Sequence, residues 1–302
     1  GANVFINADG RVVAYMGDDQ KFEYLYKFVS SGRYQPDHRA ANLDLLDSGT
    51  LHCARFDADG TVDWLPLQFG QGPLTAANGF HSQADVLIDC RKAADLLGAT
   101  PMDRPEDVEV NPVNGAVYVM LTKNADRTDA QLNAVNPRSQ NKAGQIVELV
   151  PPNGDHSLPT FAWDFFLLAG RRDDPSTTYH PATAASSWMA CPDNCAFDSK
   201  GHIWVTSDGA EDFGIAEGVW ASEVSGPDRA LMRRFLRSPV GSEVCGPFFT
   251  PDDKHFFCSI QHPGDGSSFE QPSTRWPDFD ATLPPRPAVV VINRPDGKVV
   301  GS

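Results

Sequence analysis

Apolar and polar residues alternate with a period of two along most of this chain, and the alternating runs are separated by short clusters of Asp, Asn, Gly and Pro. Such a pattern predicts half-buried β-strands joined by tight turns. Residues 2–7 and 11–16 form the first predicted hairpin, around Ala8-Asp9-Gly10, and residues 22–29 continue it with alternating aromatic side chains. Residues 31–50 are polar and read as loop. A second hairpin follows at 51–56 and 62–67, around Asp57-Ala58-Asp59-Gly60. Only residues 85–97 carry a helical period, with apolar residues at 86, 87, 90, 93, 94 and 97. That helix is expected to pack at the edge of a β core.

The second half repeats one theme. Residues 109–119, 195–205 and 247–258 each read as a short strand, a turn, and an aromatic or β-branched strand. Units of this kind, recurring roughly every 50 to 90 residues, are the mark of propeller blades with insertions between them. Outer strands are predicted at 144–150, 161–166 and 231–236, and a closing strand at 288–293. The expected fold is all-β: four-stranded antiparallel blades in one propeller-type domain over residues 1–302, about four blades with helical and loop insertions. Strands 11–16, 117–121, 203–207 and 256–260 should occupy equivalent places in them. A β-sandwich fits the same spacing.

Composition narrows the function classes. Forty acids against 25 bases give a formal charge of −15, which opposes binding to a phosphate backbone and suits the collection of cations. No apolar run reaches the ~20 residues that span a bilayer. Six cysteines, at 53, 90, 191, 195, 245 and 258, lack a paired zinc spacing and read as buried thiols, with room for one disulfide in an exported protein. The chain opens at Gly1 without an initiator Met or signal peptide, and a cleaved or partial chain is expected.

Candidate chemistry gathers at the ends of the repeated strands. Met102-Asp103-Arg104-Pro105-Glu106-Asp107 precedes one, Pro192-Asp193-Asn194 another, and Glu243-Val244-Cys245-Gly246 a third. Thr122-Lys123-Asn124, Thr206-Ser207-Asp208-Gly209 and Ile260-Gln261-His262 follow the partner strands. Pro105 should hold Arg104 extended, so that Arg104, Glu106 and Val108 share one face. In a propeller, acids at matching blade positions converge on the central channel, and hard oxygen donors suit calcium or magnesium. One by one the same residues fit plainer roles: an Arg-Glu surface pair at 104 and 106, a turn at Asp208-Gly209, a loop cap at Asp193-Asn194.

Residues 10–19, Arg104-Pro105-Glu106, Asp193–Asp198, Glu243–Pro247, and Ile260–Gly264 with Arg275-Trp276-Pro277 together resemble the PhoX-type alkaline phosphatases through nearly the whole chain. The resemblance implies a phosphomonoesterase that uses calcium and iron (Ca2+ and Fe3+) in a propeller channel, exported to the periplasm by the twin-arginine route. It implies that Glu106, Asp193 and Asp208 are metal ligands with Asp19 a fourth, and that Arg104 and Arg275 grip the substrate phosphate. Glu243 matches a family motif without an assigned role. Family members carry a long preceding region with further blades, more carboxylates and an iron-binding cysteine, so this chain resembles their C-terminal half to two-thirds. Iron is therefore expected to need a thiolate upstream of Gly1.

The implied partners are small phosphate monoesters, with neither nucleic acid nor membrane. Two other classes stay open: a calcium-dependent propeller lactonase, which needs no pair of arginines, and a non-catalytic propeller scaffold, whose acids would pair with surface lysines.

Overall fold

The computed structural model describes residues 1–302, and every pairing between its named strands is antiparallel. The chain first lays down β1 (Ala2–Ile6), β2 (Arg11–Gly17), β3 (Leu25–Arg33), β4 (Gly49–Phe56) and β5 (Thr61–Pro66). Two short helices follow, α1 (Gln83–Ile88) and α2 (Cys90–Leu97). Next come β6 (Pro105–Val110), β7 (Val117–Leu121), β8 (Gln145–Val150) and β9 (Thr160–Leu168). The third group is β10 (Pro192–Phe197), β11 (Ile203–Ser207), β12 (Gly218–Ser222) and β13 (Arg233–Arg237). The last is β14 (Glu243–Phe249), β15 (His255–Gln261) and β16 (Ala288–Asn293).

Within each group the strands pair in chain order, as propeller blades do. The first two groups are also joined: β5 and β9 pair Thr61 with Ala162, Val62 with Phe161 and Asp63 with Thr160. Together they make one nine-stranded, nearly closed sheet. The expected strands 11–16, 117–121, 203–207 and 256–260 fall on β2, β7, β11 and β15, each second in its group.

Successive groups bury apolar side chains against one another. Val13, Tyr15, Ala54 and Trp64 of the first meet Val108, Val119, Val147 and Phe161 of the second. Tyr118, Met120 and Phe166 then meet Cys195, Val205 and Trp220 of the third. Trp204 and Val219 in turn meet Val244, Phe256 and Ile260 of the fourth. A sheet with apolar residues on both faces needs a partner on each side, and four layers stacked in sequence supply it where a two-sheet sandwich would not. The helices close the open face of the first group, with Val86, Ala93 and Ala94 on Tyr24, Tyr26 and Cys53.

Several local expectations change. The predicted helix 85–97 is two helices broken at Asp89, where φ is −98° and ψ 41°. The strand expected at 22–29 begins at Leu25 and runs on to Arg33, into the predicted loop. The first group has five strands and the last three, so the four-strand rule holds for the middle two groups. All six cysteines are free thiols.

Candidate functional site

The hairpin geometry places the polar motifs. In the second, third and fourth groups the first strand starts at the same end at which its partner stops: Pro105 pairs with Leu121, Pro192 with Ser207, Glu243 with Gln261. Residues just before or at the start of β6, β10 and β14 therefore share a rim with residues just after β7, β11 and β15. β2 ends at the same rim, because a Cβ on Gly17 would lie 2.2 Å from the Pro105 carbonyl oxygen. Only glycine allows that approach.

Arg104 is the centre of the rim. Its Nε and Nη2 donate to the two carboxylate oxygens of Asp19, both at 2.8 Å. The same guanidinium lies 3.6 Å from Glu106 and 3.5 Å from Asp208. Asp18, beside Asp19 in the chain, turns the other way and pairs with Arg91 of α2 at 2.6 Å. Asp193 completes the group: it is almost fully buried, and its carboxyl is pushed up to about 9, by burial first and then by the charges of Glu106, Glu243 and Asp208. Burial and a hydrogen bond to Asp19 likewise hold Glu106 well above the usual carboxylate range. For Asp19 burial works against ionisation, but that hydrogen bond and the Arg104 pair outweigh it and lower its pKa. Glu106 is thus the harder of the two neighbouring acids to ionise, the pattern of two carboxyls forced together beside one arginine.

β-Bulges aim two of these acids. The register of β6 slips between Pro105 and Asp107, and that of β10 between Pro192 and Cys195. Glu106 and Asp193 are the displaced residues, and a bulge redirects side chains in this way. Arg104 departs from the expected extended conformation, at a φ of +55°. Three other non-glycine residues beside the rim, Phe22, Cys191 and His262, also have φ between 38° and 69°. Strained backbone of this kind costs about 1–3 kcal/mol per residue and concentrates at functional sites.

Of the residues predicted from sequence, the rim brings together Asp19, Arg104, Glu106, Asp193 and Asp208. Arg275 is not among their contacts. Its guanidinium donates to the carbonyls of Leu283, at 2.9 Å, and Phe269, at 3.1 Å, and covers the Phe269 ring. The long segment between β15 and β16 folds back on itself there and occupies the arginine.

Five further residues belong to the rim. Glu243 accepts from His262 at 3.3 Å and Gln261 at 2.9 Å. Lys123 extends from the end of β7 to donate to the Asp208 carbonyl at 3.2 Å. Cys245 is half-buried near the acids, its thiol pushed up to about 11 by burial first and by Glu243, Asp193, Glu106 and Asp208 in turn. Glu243, Cys245, Gln261 and His262 lie in motifs that carry the family resemblance, while only position at a strand end marks Lys123 in the sequence.

The donor set is hard oxygen, with one neutral thiol near it, and this chemistry fits calcium. No three His, Cys, Asp or Glu side chains surround a single point, and the Arg104 guanidinium stands among the carboxylates.

Residues 1–264 match the sequence family described as Alkaline phosphatase PhoX. The structure of Pseudomonas fluorescens PhoX in complex with vanadate, a transition state analogue, superposes with a TM-score of 0.89 at 38% identity. The match covers 99% of this chain and 54% of that one, so the chain spans about half the length of that protein. A luciferin-regenerating enzyme, at 11% identity over 99% of this chain and 77% of its own, reaches a TM-score of 0.36. A gluconolactonase of Xanthomonas campestris, at 13% identity over 84% of this chain and 88% of its own, reaches 0.26. Likeness that remote carries no functional argument. A comparison with curated protein sequences gave no match.

Proposed function

From the premise that this chain belongs to the PhoX family of alkaline phosphatases, we propose that it hydrolyses phosphate monoesters at the Arg104 rim. The observation that carries the reading is one planar guanidinium within 3.6 Å of three carboxylates from three blades. An arginine in that position can exchange acid oxygens for phosphate oxygens without leaving its place, and its fork matches two of them at once.

Glu106, Asp193, Asp208 and Asp19 are the residues that would hold calcium. Bound cations would supply positive charge and Lewis acidity at the transferring phosphoryl group. The chain's own residues have separable tasks. Arg104 binds and orients equatorial phosphate oxygens, where negative charge is spread in the transition state. Asp19 holds the guanidinium flat and directed along the channel rim. Glu106, held above the usual carboxylate range by burial and Asp19, would have to ionise to ligate a cation. Arg275 is the second candidate for the phosphate, after giving up its hold on the Leu283 carbonyl.

Vanadate binds the Pseudomonas fluorescens relative as a transition state analogue, and inhibition by vanadate is expected of this chain also. Export to the periplasm follows from the same family reading. No helix here is long and apolar enough to cross a membrane. The test is hydrolysis of a small aryl phosphate by the purified chain with calcium and ferric iron supplied. Release of the phenol, abolished by vanadate, is expected; no release under any metal condition refutes the proposal for this chain.

A further inference from the structure

Behind the rim lies a buried ion pair that the phosphatase reading leaves without a task. Arg127 and Asp103 are 1% and 0% exposed at their side chains, with Nε 2.6 Å from the carboxylate. The pair is fully partnered. The second Asp103 oxygen accepts from Asn141 at 2.9 Å, and Arg127 donates also to the carbonyls of Pro101, at 2.8 Å, and Gln131. Asn136 joins at the same Pro101 carbonyl, at 3.1 Å.

Arg127 touches both segments that carry the Asp19–Arg104 pair. Asp103 and Pro101 belong to the segment ending in Arg104. Phe22, whose ring lies 5.1 Å beneath the guanidinium, belongs to the segment that starts with Asp19. The Phe22 amide donates to the Met102 carbonyl at 2.8 Å, and the Thr122 amide to the Arg104 carbonyl at 3.1 Å. Phe22 and Arg104 both sit at positive φ, 69° and 55°, so both corners need outside support to persist. A buried charge pair is a poor source of net stability but a good device for fixing one arrangement among several.

We infer that Arg127 is a positioning residue for phosphate binding: through Asp103 and the Phe22 ring it sets the two rim segments so that Asp19 aligns Arg104. Its consequence for turnover rests on the phosphatase reading; its consequence for Arg104 does not. Arg127→Lys keeps the buried charge and removes the fork that spans Asp103 and Pro101. Phe22→Leu removes the stacked ring and leaves the ion pair in place.

The first readout is exchange of the Arg104 Nε proton with water, followed by nitrogen-15 NMR of arginine side chains. Either variant should speed that exchange about tenfold by opening the local structure, with thermal melting recording the integrity of the fold. The second is a double-mutant cycle on aryl phosphate hydrolysis. Arg127→Lys should lower kcat/KM at least about tenfold alone and have little further effect in an Arg104→Lys background, because it acts through that residue.

Unchanged Arg104 exchange in a folded variant overturns the inference, as does a fully additive cycle. If Arg127→Lys fails to fold, Phe22→Leu decides by the same readouts. A wild-type chain with no hydrolysis, but with Arg104 exchange that responds to both variants, leaves the positioning role standing and removes the phosphatase reading alone.

Discussion

Asp19 and Arg104, 85 residues apart in the chain, meet in a two-point ion pair with both nitrogen–oxygen separations at 2.8 Å. Each is one-third exposed or less, so the pair is neither a free surface contact nor a sealed core pair. One acid is committed to holding the arginine while Glu106 and Asp208 stand just beyond hydrogen-bond distance of it. The guanidinium is therefore already oriented and has two further carboxylates just outside its hydrogen bonds.

Arg104→Lys keeps the charge and loses the planar fork. A loss of roughly 2–3 kcal/mol in transition-state binding is expected, a fall in kcat/KM of about 30- to 150-fold. Steady-state kinetics on an aryl phosphate with saturating metals measures it. On the proposed reading that both arginines serve one phosphate, Arg275→Lys should act in the same direction and the double variant should lose less than the sum. Unchanged kinetics in Arg275→Lys would identify that arginine as a strut of its own loop, bound to Leu283 and Phe269.

The contribution of Asp193 to the stability of the metal-free chain should fall as pH rises, whereas that of Lys27, whose pKa burial lowers to about 6, should grow above that pH. Asp193 has its pKa raised to about 9 from the model-peptide value near 3.9, so the folded state keeps a proton that the unfolded chain releases. The stabilising contribution is complete below about pH 4, declines through neutrality and levels off above about pH 9, at up to about 1.4 kcal/mol per pH unit for one group. Denaturant titrations of the wild type and Asp193→Asn at several pH values test the slope, the difference between the two isolating this group. Saturating calcium should flatten it, because a bound cation replaces the proton.

Asp193→Asn should separate stability from function. The amide keeps the shape and needs no proton to be taken up on folding, so the metal-free chain should gain roughly 1–3 kcal/mol above neutral pH. Calcium affinity should drop in the same variant, as read by calorimetry. A variant less stable than wild type at pH 8 would mean that the carboxylate is satisfied in the native chain.

Gly209 tests the rim by sterics. It has a φ of +115°, and a Cβ there would lie 2.2 Å from Lys123 Nζ and 3.2 Å from Cys191 Sγ. Gly209→Ala should destabilise the chain by about 1–3 kcal/mol, visible as a lower midpoint of thermal melting. It should also displace Lys123 from the Asp208 carbonyl.

The fold was legible because strand alternation survives in every group. Val13, Val108, Val119 and Val147 mark core faces by sequence alone, and the second strand of each group was found in place. The fusion of β5 to β9 was not legible, since three edge pairs leave no compositional trace. The rim acids were recognisable as strand-end residues. Their aim was not: the bulges at Glu106 and Asp193 and the left-handed Arg104 are features that strand alternation and a rule about residues before proline do not encode. Arg275 shows the complement, a residue whose motif was plain and whose local carbonyl partners were not. Arg127 carried no signal at all, because its task appears only once the segments at 19–22 and 101–104 lie side by side.

The hairpins put all of this chemistry at one end of the strands, and the turns at the other end, such as Asn111–Ala116 and Thr250–His255, close within a few residues on their own backbone hydrogen bonds. That polarity gives the molecule a handle. A tag or surface linker inserted at Asn114, a full strand length from Arg104, would present every copy of the protein with its acidic rim outward, toward the solution it is to sample.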